Sequence, residues 1–184
     1  MKNSGLAALA LAFGAAVGLA SGPARPGQFS ATATVETKTG TRSMPFNLVV
    51  TSPMTMEEAQ PLKEVLARGG QQALLNAIRG AGRGKIQLGA FEYPIDLVVA
   101  EPGDRGGLRY YVVSSRAMSY DEVNEGTSAA THPFSVFVVN VPEFGTGDGR
   151  IYTRAALSID EQGHVRAEQW GGKPGTLKDV KRLK

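Results

Sequence analysis

Phe91-Glu-Tyr-Pro-Ile-Asp-Leu-Val-Val-Ala100 is the clearest strand in the chain. Phe91, Tyr93, Ile95, Leu97 and Val99 fall on one face and Glu92, Pro94, Asp96, Val98 and Ala100 on the other, the two-residue period of a pleated ribbon. Pro102-Gly-Asp-Arg-Gly-Gly107 is a turn by composition, and residues 108–116 return as an antiparallel partner. In that partner Leu108, Tyr110 and Val112 face one way and Tyr111 and Val113 the other.

The pattern continues towards the C-terminus. Residues 118–131 lack a strand period and read as a surface loop. Phe134-Ser-Val-Phe-Val-Val-Asn-Val141 is apolar on both faces, as a strand covered on each side must be. Ile151, Thr153, Ala155, Leu157 and Ile159 alternate with Tyr152, Arg154, Ala156 and Ser158, and residues 160–163 make a hairpin-like loop into residues 164–170. Residues 176–180 form one more strand.

Towards the N-terminus, Ile86 and Leu88 follow the glycine-rich connection of residues 80–84. That connection is no phosphate-cradling loop, because a helix precedes it and a strand follows, the reverse of the required order. Residues 55–79 are the one place with helical spacing. Thr55 and Glu58 have capping-box spacing, Leu62, Val65 and Leu66 form a stripe, Gly69-Gly70 interrupts it, and Leu74, Leu75 and Ile78 resume it. Pro61 either kinks this helix or starts it. Phe29, Ala31, Ala33 and Val35, then Met44, Phe46, Leu48 and Val50, alternate around a turn at residues 38–41 and predict an opening hairpin. Pro45 places its strand at an edge or turns its nitrogen away from a partner.

These elements predict an α+β but mostly β fold. Eight or nine strands form a curved antiparallel sheet or barrel, with a short helical pair inserted after the first hairpin and laid over one face or end. The expected organisation is a signal peptide over residues 1–20, a linker over 21–28, and one domain over 29–184 with its helical insert at 55–79 and a basic C-terminal end. Residues 1–20 support the first of these: Lys2 precedes a short Ala- and Leu-rich run that ends in small residues at Gly18-Leu19-Ala20. Export to the periplasm or the exterior is therefore expected, with no membrane-spanning segment after removal of the signal.

The 184 residues contain no cysteine, which excludes disulfides, thiolate metal sites and a cysteine nucleophile. The sequence pI of about 9.3 is a local effect. Of the formal charge of +3, the first twenty residues hold +1 and residues 173–184 hold +4, so residues 21–172 carry −2. The near-neutral body, with only sparse pairing of Arg109 with Tyr111 and of Arg154 with Tyr152, does not suit a nucleic-acid face.

The chain resembles a group of uncharacterised exported bacterial proteins of similar size. The likeness lies in the opening hairpin, the helix broken at Gly69-Gly70 and resumed as Gln71-Gln-Ala-Leu-Leu-Asn-Ala-Ile78, the Tyr93-Pro-Ile-Asp-Leu97 strand and a short strand near the C-terminus. The resemblance implies export and carries no assigned activity.

The sequence assigns no catalytic, cofactor-binding or metal-binding residues. Two histidines, His132 and His164, fall short of a zinc set without cysteine, and Asp121, Glu122 and Glu125 do not follow a calcium-loop pattern. No Gly-x-Ser-x-Gly elbow occurs, and Ser114, Ser115 and Ser158 lie in strands. Asp96, expected to face solvent, Glu101 and Asp104 are the acids from which a carboxylate-dependent hydrolase would have to draw. Phe91, Tyr93, Tyr110 and Trp170 would either fill the sheet or line a cavity within it. The expected function is that of a non-enzymatic exported protein binding a small apolar ligand or a cell-envelope partner. The alternatives are the hydrolase and anionic-surface binding through the basic end.

Overall fold

A computed structural model describes residues 9–11, 25–37, 40–103, 106–118, 131–160 and 165–183. The loop of residues 119–130, His164, Asp104 and the turn at Lys38 and Thr39 lie outside the described residues, as does the 1–20 run apart from its three-residue strand.

The described strands are β1 (Leu9–Leu11), β2 (Gly27–Thr37), β3 (Gly40–Val50), β4 (Gly84–Leu88), β5 (Phe91–Ile95), β6 (Leu97–Pro102), β7 (Leu108–Ser114), β8 (Phe134–Val141), β9 (Gly147–Ile159), β10 (Val165–Gln169) and β11 (Gly175–Arg182), with one helix, α1 (Gln60–Ile78). Nine strands form a nearly closed antiparallel barrel-like sheet in the order β5-β4-β3-β2-β11-β9-β8-β7-β6. The two ends of that path, β5 and β6, are consecutive in the chain and joined by Asp96 alone. The ribbon beginning at Phe91 thus pairs first with β4 and then, past Asp96, with β7.

That change of partner corrects the single-face reading of residues 91–100. Tyr93, Ile95, Val98 and Ala100 point into the barrel, whereas Leu97 and Val99 point out under the helix. The alternation slips by one residue at Asp96. A second slip lies in β9, where the register shifts between Phe134 and Val136 of its partner β8. Ile151 therefore faces the barrel interior, while Tyr152, Ala155 and Leu157 all face outward. Ser135 holds this irregularity: its Oγ accepts the Met118 amide at 2.8 Å and lies 2.9 Å from both the Arg116 and Thr153 carbonyl oxygens.

The sheet bounds two apolar layers. Inside, Phe29 meets Tyr110 at 5.1 Å and Phe46 meets Phe137 at 5.6 Å between ring centroids, with Leu48, Ile86, Leu88, Ile151 and Leu177 around them. Outside, α1 covers β6 to β10 through Leu66, Leu74, Leu75 and Ile78. Each such burial contributes about 2 kcal/mol, which holds a helix that would be marginal alone. β7 and β8 are buried on both faces, as their sequences require.

The predicted helical pair is one helix. Gly70 alone leaves helical geometry, at φ 67° and ψ −161°, and the helix resumes at once, so no linker separates two elements. The Thr55 and Glu58 box forms, with the Thr55 amide donating to Glu58 Oε2 at 2.7 Å and the Glu58 amide to Thr55 Oγ1 at 3.2 Å. It closes the turn before the helix, and Pro61 sits in the first helical turn, where its missing N–H costs nothing. Pro45 pairs with Thr32 just beyond the last β3–β4 pair, Phe46 with Leu88, so no β4 residue stands opposite it. The basic end is a wall strand, since β11 lies between β2 and β9 and holds Lys178, Lys181 and Arg182.

Candidate functional site: an apolar pocket beneath the helix

The first half of α1 stands slightly off the outer face of the sheet. Met56, Ala59, Leu62 and Leu66 from the helical side face Leu97, Val99, Tyr111, Val113, Val136, Leu157 and Val165 from the strands, with Gln60 and Lys63 at the rim. The cavity volume is about 50 Å³. That is room for about four water-sized groups, and with apolar walls the space suits methylenes better than water. The second half of α1 is tied down. Gln71 donates its Nε2 to the Leu157 carbonyl, and its Oε1 accepts the Leu157 amide at 2.9 Å.

Tyr111 connects this pocket to a polar row. Its ring lines the apolar wall and its hydroxyl donates to Glu101 Oε1. Burial raises the phenol pKa first, and the Glu101 hydrogen bond and charge raise it further against the opposing Arg109 guanidinium. Register then carries the row across the sheet: Glu101 opposite Arg109, Arg109 opposite Asn140, Asn140 opposite Asp148, and Asp148 opposite Lys178. Arg109 Nη1 lies 3.4 Å from Glu101 Oε1, Arg109 Nε donates to Asn140 Oδ1 at 2.8 Å, and Asn140 Nδ2 donates to Asp148 Oδ1 at 2.6 Å. A polar cleft of about 220 Å³ opens beside Arg109, Asn140 and Asp148 towards Gly103 and Pro142. Tyr111, Glu101, Arg109, Asn140 and Asp148 are engaged within the row, which therefore ties β6, β7, β8 and β9 together.

The residues singled out from the sequence do not converge. Asp96 is only 2% exposed, contrary to the solvent-facing expectation, and its carboxylate is a structural tie. Oδ1 accepts the Gly80 amide at 2.8 Å and Oδ2 the Ser115 amide at 2.8 Å, fastening the end of α1 and the end of β7 to the β5–β6 joint. His132 packs against Trp170 in a tilted arrangement, 5.0 Å between ring centroids, and pairs through Nδ1 with Thr131 Oγ1 at 2.8 Å. Tyr93 and Tyr110 fill the barrel interior, while Phe91 and Trp170 are exposed at 64% and 49%. The four aromatics thus do not converge on one space, and the apolar pocket lies outside the barrel. Among the described residues no group of three or more histidines and acids could hold a metal. No described helix is long and apolar enough to cross a membrane.

The sequence reading missed both the pocket and the polar row. Glu101 opposite Arg109 was available from the hairpin register around residues 102–107, whereas Asn140 sits in an apolar run and Asp148 lies between the two runs with a strand pattern, residues 134–141 and 151–159. No family model matches the chain, and no curated protein and no solved structure shows a significant match to it.

Proposed function

We propose that the protein is an exported, non-enzymatic binding protein that accepts a small apolar group beneath the first half of α1. The observation that carries this reading is the pocket itself: apolar walls drawn from a helix and five strands, open at a rim that bears Gln60 and Lys63. A volume of about 50 Å³ takes the end of an alkyl chain rather than a whole lipid, and the Lys63 ammonium at the rim favours an anionic head group outside. The ligand class that fits is a short aliphatic carboxylate, met in the cell envelope.

Calorimetric titration with octanoate is the test. Saturable binding that falls at least about tenfold in Leu62→Phe, where the added ring occupies the space of the chain, is the expected result. Absence of saturable binding, or binding indifferent to that substitution while circular dichroism shows an unchanged fold, would overturn it.

A further inference from the structure

β10 is the one described strand of five or more residues, apart from the seam strands β5 and β6, whose outer edge is not taken by another strand of the barrel path. It pairs with β9 on one side, and on the other it receives β1, with Leu9 opposite Ala167, Ala10 opposite Arg166 and Leu11 opposite Val165. The chain itself therefore shows that this edge accepts an antiparallel strand. β1 belongs to the apolar run that the sequence marks as a signal, so whatever withdraws that run leaves the β10 edge with unpaired backbone groups.

The sequence of β10, Val165-Arg-Ala-Glu-Gln169, indicates what can replace it. Val165 and Ala167 are buried on the helix side, and Arg166 and Glu168 share the opposite face. An antiparallel copy centred on Ala167 places Arg166 opposite Glu168 of the second chain, and Glu168 opposite its Arg166. Arg166 holds Asp160 at 2.9 Å through Nε and Nη2, which leaves guanidinium hydrogens for a second carboxylate. Glu168 is exposed, and the half-exposed Trp170 ring extends the contact at each end. Opposite charges set symmetrically about a small central residue suit a twofold pairing, in which each contact occurs twice.

We propose that β10 is a self-association edge. Two copies of the chain pair antiparallel through it, with reciprocal Arg166–Glu168 contacts, and β1 blocks this association as long as it occupies the edge.

Sedimentation velocity on the full chain made by cell-free synthesis tests the competition. The unaltered chain should be monomeric, and Ala10→Pro, which removes a backbone donor from β1, should form dimers. On that background Glu168→Lys and Arg166→Glu should each weaken the dimer roughly tenfold by setting like charges opposite each other. An equimolar mixture of the two should restore it, because both contacts are then complementary again. A monomeric, folded Ala10→Pro chain, or a dimer insensitive to the charge changes, would overturn the proposal. Should Ala10→Pro fail to fold, Ala10→Asp weakens β1 less drastically, and the absence of cysteine allows a second measurement on that background. Slow oxidation of Arg166→Cys mixed with Glu168→Cys should give mainly the mixed cross-linked pair, and equal amounts of mixed and like pairs would refute the register.

Discussion

Gln71 serves Leu157 as a neighbouring strand residue would: its side-chain amide both donates to and accepts from the Leu157 backbone, with the accepting contact at 2.9 Å. Leu157 lies past Ala155, the last β9 residue paired with β8, so its groups on that side have no strand partner. Gln169 acts similarly at Thr153, accepting its amide at 2.9 Å where β9 passes from β11 to β10. Two glutamines thus complete the sheet where the longest strand changes neighbours.

Gln71→Ala removes both contacts and leaves a buried amide and carbonyl without partners, so a loss of about 2 kcal/mol is expected. Gln71→Glu keeps the acceptor but brings a carboxylate against the Leu157 carbonyl, and should destabilise at least as much. Urea denaturation followed by circular dichroism measures both. A loss below a few tenths of a kcal/mol in Gln71→Ala would mean that water replaces the amide.

Asp96 should be intolerant of its closest isostere. Asn retains one acceptor but sets an NH2 group against a backbone donor, so one of the two 2.8 Å contacts becomes a clash of donors. We expect Asp96→Asn to cost about 2–4 kcal/mol and Asp96→Ala a similar amount. The same urea experiment decides it. Retained stability in Asp96→Asn would show that the tie is not needed to join β5 to β6.

The legible part of the fold was set by local periodicity. The opening hairpin, the double-faced Phe134–Val141 strand and the helical stripe each follow from residues a few positions apart. The slips at Asp96 and at Thr153 were not legible, because a one-residue break in alternation is fixed by partners far along the chain, Gly80 and Ser115 for the first and Ser135 for the second. Residues 91–100 look like one uninterrupted strand because apolar residues lie on both sides of the break, and only burial in two separate layers tells the faces apart. The pocket was hidden for a related reason. Its walls come from one helix and five strands, so no single segment carries its signature.

Gly70 offers a test in which the usual helix rule changes sign. Alanine in place of glycine in a helix ordinarily stabilises by about 1 kcal/mol. Here the backbone stands at φ 67° and ψ −161°, a region open almost only to glycine, although nothing lies within 4 Å of an added Cβ. Backbone conformation rather than crowding decides the outcome, and Gly70→Ala should lower stability by about 1–3 kcal/mol. Thermal unfolding by calorimetry checks the sign. A raised midpoint would mean that residue 70 adopts helical geometry without cost.

Alkaline stability follows from the buried phenols. Tyr93, Tyr110, Tyr111 and Tyr152 all have pKa values raised from 10.0, chiefly by burial, and the nearby Arg116, Arg182, Arg109 and Arg150 respectively only partly oppose this. A folded-state pKa above the unfolded one contributes stability that is complete below about pH 10 and is lost as pH rises towards the folded value, because only the unfolded chain then releases its protons. The unfolding midpoint should therefore fall from about pH 10 upward, with Tyr111 the largest contributor. Tyrosinate absorbance from these four residues should appear together with loss of the circular dichroism signal, not before it. In Tyr111→Phe, which also releases Glu101 from its phenol, the alkaline decline should be shallower even if stability at neutral pH is lower. An early tyrosinate signal from the folded protein, assigned by losing it in one of the four Tyr→Phe variants, would show that the phenol in question reaches solvent.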